Sequence, residues 1–352
     1  MKRALCYSVV MRGLGIGLCA FLVMLGAVEG LWSGTVDGRP ERLRIGFQVI
    51  PNTEAVVKGL GWLEAKLGVP IEWKQFESGR DVNTAIAAGG IDIGLVGSAP
   101  AAAGIAQGLP YEVIWIYDLI GDNEALVVRK GKGIKSAVDL VGRKIAVPFG
   151  STTHYHLLRY LQLEGVEATR VVILDMQPPD MLAAWQRGDI DGGWVWHPTL
   201  GKMVAGGGEV IYSSRQMAER GVPTGDLGVV RREFGRRYPR MVAQYLAIQN
   251  EAVELYRKDP ERAVRAVAKE FRLREDEARV MMRELIWLDG REQLSEKYLG
   301  RPGKPGKLAE VLKDTGDFLK AQRILKESPG IEVFRRAVNP GYLWDAMRTK
   351  GR

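Results

Sequence analysis

Short blocks of alternating and helically spaced apolar positions succeed one another along most of this chain. Leu43, Ile45 and Phe47 alternate with Arg44 and Gly46, which predicts a first strand at 43–47. Ala55, Val56, Leu60, Leu63 and Leu67 follow helical spacing and predict one helix over 53–67. The same reading gives strands at 71–76, 91–96 and 111–117, with helices at 81–88 and 99–107 between them. Strands alternating with helices at such short intervals indicate a mainly parallel sheet covered on both faces.

The pattern then restarts. A strand at 126–129 is placed to cross between lobes, and 144–148 opens a second set. A helix at 153–163, a strand at 171–174, a helix at 181–187 and a strand at 190–195 follow, with a second crossing at 225–231. Amphipathic stretches at 239–257, 260–270, 275–287 and 308–319 predict helices, and 301–307, rich in Gly, Pro and Lys, reads as a loop. The expected architecture is α/β: two doubly wound lobes joined by two crossover strands. The first lobe is discontinuous, 42–128 plus 226–352, and the second is 129–225. Such a molecule takes ligands between its lobes.

A chain of 352 residues is too long for one ordinary core, which suits two lobes. Its 46% hydrophobic and 26% charged residues exclude extensive disorder. The formal charge of +8 is compatible with an anionic ligand, but no basic run interleaved with aromatics suggests nucleic-acid binding. Lys2, Arg3 and Arg12 precede the uncharged residues 13–28, a secretory-signal pattern assigned to 1–30. The run falls a little short of the roughly 18–20 residues of a membrane span, so cleavage is favoured over an uncleaved anchor. Cys6 and Cys19 both lie in this segment, so the exported chain would carry neither disulfides nor thiol chemistry.

Three strand-to-helix corners place small or hydroxyl residues where an oxyanion can approach backbone amides. These are Gly97-Ser98-Ala99-Pro100, Gly150-Ser151-Thr152-Thr153-His154 and Gln177-Pro178-Pro179. Each taken singly reads equally as a helix cap. Trp194 and Trp196 point in alternate directions, so one belongs to the core while the other can face a cleft; Trp185 reads as core. Glu124 or Asp226 can pair an ammonium group. The three histidines, His154, His156 and His197, have no common metal spacing, and no nucleophile elbow surrounds Ser151. Neither a metal, a cofactor nor an active site is expected.

Several runs then become specific: Phe76-Glu77-Ser78-Gly79, Asn123-Glu124-Ala125-Leu126, Pro148-Phe149-Gly150-Ser151-Thr152-Thr153-His154-Tyr155 and Ala183-Ala184-Trp185-Gln186-Arg187-Gly188-Asp189-Ile190-Asp191-Gly192. With the three corners they resemble the periplasmic taurine-binding proteins of bacterial ABC transporters, within the nitrate/sulfonate/bicarbonate-binding family. The resemblance, over 43–319, implies a type II periplasmic-binding fold, a periplasmic monomer, and delivery of taurine or a related sulfonate to a permease and its ATPase in trans. It also implies a sulfonate site at Ser98, Ala99, Ser151, Thr152, Thr153 and His154. The amine would then lie at Asp226, with Gln48, Glu124, Gln177, Trp194 and Trp196 lining the cleft. Asn52 stands where the family has an acid, Ala99 where it has a second serine, and His197-Pro198 where it has Ala-Pro. Alkanesulfonates and other small organic anions stay open as ligands. A pyrimidine-precursor synthase of the same fold is the competing enzyme reading, which the missing cysteine-rich segment disfavours; a sensor domain for a small organic anion is the third.

Overall fold

The computed structural model describes residues 38–349. The expected signal segment, with Cys6 and Cys19, lies outside the described residues. Among the described residues no helix is long and apolar enough to cross a membrane. Ten strands form the two main sheets: β1 (Leu43–Phe47), β2 (Ile71–Gln75), β3 (Ile93–Gly97), β4 (Tyr111–Leu119), β5 (Glu124–Arg129), β6 (Lys144–Val147), β7 (Val172–Asp175), β8 (Gly192–Trp196), β9 (Gly208–Ser213) and β10 (Gly225–Arg231).

The sheets share one plan. The first has the order β2-β1-β3-β10-β4 and the second β7-β6-β8-β5-β9. In each, three parallel strands are followed by an antiparallel one: β10 against β3 and β4, β5 against β8 and β9. The antiparallel strand is the one the chain contributes after changing sheets. Parallel strands with helix-covered faces explain why β3 is buried along its whole length and reads as an unbroken apolar run.

The first crossing differs from expectation. Residues 124–128, assigned above to the first lobe, pair residue by residue with β8 and β9 and belong to the second sheet. The chain changes sheets in the turn at 120–123, before β5 begins. The helix expected over 53–67 is two, Thr53–Gly59 and Trp62–Leu67, because Gly61 takes φ +62°, a conformation that interrupts a right-handed helix. The helix expected to run to 287 ends at Arg283. Residues 300–305 form a two-rung hairpin inside the expected loop. Strand β9 and the helices Ile331–Ala337 and Gly341–Thr349 were not expected. The last of them packs on the helix Pro239–Lys258, thickening the first lobe.

At the end of the first sheet away from the strand carboxyl termini, Asp92 ties β1 to β10. Its carboxylate accepts from the Arg44 amide (3.1 Å), Arg44 Nε (3.0 Å) and Nη2 (2.7 Å), and Arg231 Nη2 (2.9 Å). Burial alone would raise the Asp92 pKa, but the bonds from Arg44 and Arg231 outweigh it and hold the group below its usual range. Removing the carboxylate leaves two guanidinium groups without their shared acceptor. Asp92→Ala is expected to cost about 3 kcal/mol in urea unfolding; a loss below about 1 kcal/mol would show the clamp to be dispensable.

Candidate ligand cleft

The carboxyl ends of β1, β3, β6 and β8 converge on one cleft, as the parallel half of each sheet requires. Gln48 and Ile50 follow β1, Gly97 ends β3, Ser151 and Thr152 follow β6, and Trp196 ends β8. The antiparallel strands enter from the other direction, so Glu124 opens β5 and Asp226 lies near the start of β10, both in the cleft. The cavity is only about 20 Å³. That is space for about one water, so a ligand with several heavy atoms enters only if the lobes part.

Two helices aim their first turns here. Ser98–Ala106 starts at the end of β3, and Thr152–Leu163 is capped by Ser151, whose Oγ accepts from the His154 amide at 3.2 Å. Amides in the first turn of a helix have no partner within the helix, and the dipole there favours negative charge. Gly97 stands between the two termini. A Cβ on it would lie 2.7 Å from Thr152 Cγ2, so the lobes approach here as closely as they do only because the side chain is absent.

The same cavity is also acidic. Glu124 is saturated: Oε2 accepts from Thr152 Oγ1 (2.5 Å) and Oε1 from Ser214 Oγ (2.7 Å), with His156 Nδ1 at 3.3 Å. His156 Nε2 donates to the Val222 carbonyl at 3.1 Å. Asp226 and Asp118 face each other across the β10–β4 pairing. Asp118 accepts one bond, from Asn52 Nδ2 (3.0 Å), while its Oδ2 is buried without a partner. Burial raises the Asp118 pKa to about 7, helped by the charge of Glu124. Asp226 is pushed well above its ordinary range by burial and by the charges of Asp118, Glu124 and Glu54. Behind them Glu54 accepts from the Tyr117 and Tyr245 hydroxyls at 2.9 and 3.0 Å, and burial raises its pKa to about 8. No Lys, Arg or His is among the residues lining the cavity.

Of the residues singled out from the sequence, Gln48, Glu124, Ser151, Thr152, Trp196 and Asp226 line the cavity together. Ser98 lies beside it, its Oγ accepting from the Gly225 amide at 3.4 Å. The remaining five point elsewhere. Ala99 packs into the core. The Thr153 hydroxyl is fully buried against Ser151 Oγ (2.7 Å). The His154 ring stacks on Phe149 at 4.5 Å, and burial lowers its pKa to about 4. Gln177 reaches across the cleft to Ser78 Oγ (3.2 Å) outside the cavity. Trp194 belongs to the second-lobe core with Tyr160 and Tyr212, leaving Trp196 as the cleft-facing partner of the alternation. Asp118 and Glu54, buried behind the lining residues, were not singled out from the sequence, and Asn52 was noted only as a departure from the family. Asp118 did leave a signal, since it is one of only two acids in the otherwise apolar and aromatic run 111–119 and the one nearest its end.

Two outcomes follow from this geometry. Gly97→Ala is expected to cost the closed form about 1–3 kcal/mol, weakening by about fivefold to a hundredfold or more the binding of whatever the lobes enclose. Its φ of −66° suits alanine, so the melting temperature should hardly move; unchanged affinity would mean the approach at Gly97 is immaterial. Glu54 and Asp118 keep protons in the fold where an unfolded chain has lost them. Their contribution is present below about pH 4 and is lost as pH rises through about 7 and 8. The melting temperature of the ligand-free chain should therefore fall between pH 6 and 9, and Glu54→Gln should make the fall shallower; parallel slopes would contradict this.

The chain is 37% identical to the taurine-binding periplasmic protein of Escherichia coli (strain K12) over 217 residues, 62% of this chain and 67% of that one. Among solved structures it resembles the periplasmic aliphatic sulphonate binding protein SsuA of Escherichia coli, with TM-score 0.69 and 22% identity over 87% of this chain and all of that one. The alkanesulfonate-binding protein SsuA of Xanthomonas axonopodis pv. citri, bound to MOPS, gives TM-score 0.72 and 21% identity over 86% and 99%. A desulfurization enzyme, DSZB, also shares the fold, at TM-score 0.63 and 15% identity over 88% and 100%. The NMT1-like family model matches residues 37–270, and the chain belongs to that family.

Proposed function

We propose that this chain is a periplasmic solute-binding protein that encloses taurine, or a closely related aminosulfonate, between its lobes and delivers it to an ABC permease and its ATPase. One observation carries the choice of ligand. Buried carboxylates and helix amino termini share one cavity, Asp226 beside Gly97 and Glu124 bonded to Thr152, and no Lys, Arg or His is among its described lining residues. A purely anionic ligand would gain the helix termini but bring no counter-charge to the acids, which burial then keeps toward their protonated form. A zwitterion satisfies both sets of groups at once, its sulfonate on amides and hydroxyls and its ammonium on Asp226. The identity to a taurine-binding protein supports the same reading.

Binding, not catalysis, is the role this arrangement supports, although DSZB demonstrates that the fold can host an enzyme. Glu124 is held by Thr152 and Ser214 and Asp118 by Asn52, none of them arranged as a nucleophile with its base. The first lobe is 42–123 with 224–349 and the second 124–223, on the pairing of β5 and β10, and the turns between them serve as the hinge. Export to the periplasm rests on the basic and apolar pattern of residues 1–30.

The test is calorimetric. Asp226→Asn is expected to weaken taurine by about 2 kcal/mol or more, because it removes the partner of a desolvated ammonium. Ethanesulfonate, which has no ammonium, should lose far less. Equal losses for the two ligands would take the amine contact away from Asp226.

A further inference from the structure

Asp118 and Asp226 are close enough to act as one group. They are directly opposed on β4 and β10, so their Cβ atoms lie within about 5.5 Å and their side chains share a face of the sheet. Both are buried, Asp118 completely and Asp226 to 5% exposure. Their hydrogen bonding is incomplete in a place where it is costly to leave it so. Asp118 Oδ2 has no partner, and no described residue donates to the Asp226 carboxylate. Glu124, by contrast, has both oxygens occupied. Glu54 Oε2 is also without a partner, but it lies behind the pair, so the unmet acceptor capacity nearest the cavity is that of Asp118 and Asp226.

We propose that Asp118 is the second acid of the amine subsite, so that Asp118 and Asp226 together receive a cation carrying at least two N–H donors, a primary ammonium or a guanidinium group. The proposal rests on the aminosulfonate reading and narrows it. Asn52 supports it: its Oδ1 caps the helix Thr53–Gly59 by accepting from the Glu54 amide (3.1 Å), and its Nδ2 fixes Asp118 Oδ1. The loop after β1 thus supplies a neutral residue that orients an acid on β4 instead of supplying the acid itself. The groups facing the pair are Asn52 on that loop, Glu124 on β5 and Glu54 on the helix behind, none of them cationic. Two buried carboxylates so placed do not both ionise without a counter-charge; an arriving ammonium supplies it and displaces a proton.

The full exported chain would be titrated with taurine, ethanesulfonate and the N-trimethyl analogue of taurine, as wild type and as Asp118→Asn. Titrations in buffers of different ionisation enthalpy count the protons released. The expected result is that wild type prefers taurine to both analogues and releases protons with taurine near pH 7. Asp118→Asn should lower the taurine-to-ethanesulfonate affinity ratio by about tenfold or more and reduce the proton count. An unchanged ratio, or equal weakening of all ligands, would make Asp118 merely structural and overturn the proposal. A fold lost in the variant would show as a shifted melting temperature; the wild-type preference for taurine over its trimethyl analogue then decides, and its absence overturns the proposal. Wild type binding none of the three would remove the aminosulfonate reading itself.

Discussion

Two acids on neighbouring strands repel each other in a place water hardly reaches, and much of the cleft is arranged around that repulsion. Asp118 and Asp226 are brought together by the antiparallel docking of β10 on β4, and hence by the chain's return from the second lobe to the first. Burial pushes both toward the protonated form, with the charge of Glu124 adding to it at Asp118 and the charges of Asp118, Glu124 and Glu54 at Asp226. The same cavity offers partial positive charge from two helix termini, one from each lobe. Each set of groups belongs partly to each lobe, so its full field exists only when the lobes meet.

The shared plan of the two sheets explains why the cleft is built twice over. In each lobe a parallel β-β-β half sends its carboxyl ends inward, and one antiparallel strand sends its beginning inward. The first contributes amides, hydroxyls and Trp196; the second contributes Glu124 and Asp226. Glu124 and Asp226 thus come from strands running against those that supply the helix termini, while Asp118 comes from the carboxyl end of β4, which runs with them.

Much of this was legible beforehand. Period-two and period-3.6 apolar spacing located most strands and helices, because both reflect local geometry. The three strand-to-helix corners were readable for the same reason. What did not show was side-chain direction at a corner. Ser151, Thr152, Thr153 and His154 are adjacent in sequence, yet a helical turn rotates the last two away from the cavity, one into the core and one onto Phe149. Trp194 and Trp196 posed the same problem at period two, and only tertiary placement resolved which faced inward. The acid pair was hidden more deeply, since Asp118 and Asp226 are 108 positions apart and meet only through strand pairing. The boundary at 124 was misjudged because an antiparallel partner for β5 lies far along the chain, in β8 and β9.

The contacts that bridge the lobes near the rim have a bearing on how long a guest stays. Arg80 meets Asp175 at 3.0 Å with both side chains well exposed, and Gln177 reaches Ser78 at 3.2 Å. Exposed ion pairs of this kind are worth about 0–1 kcal/mol. A clasp made of such links adds little, so dwell time is governed by the buried contacts: the guest itself, His197 against Glu284 at 2.9 Å and Tyr155 against Phe318.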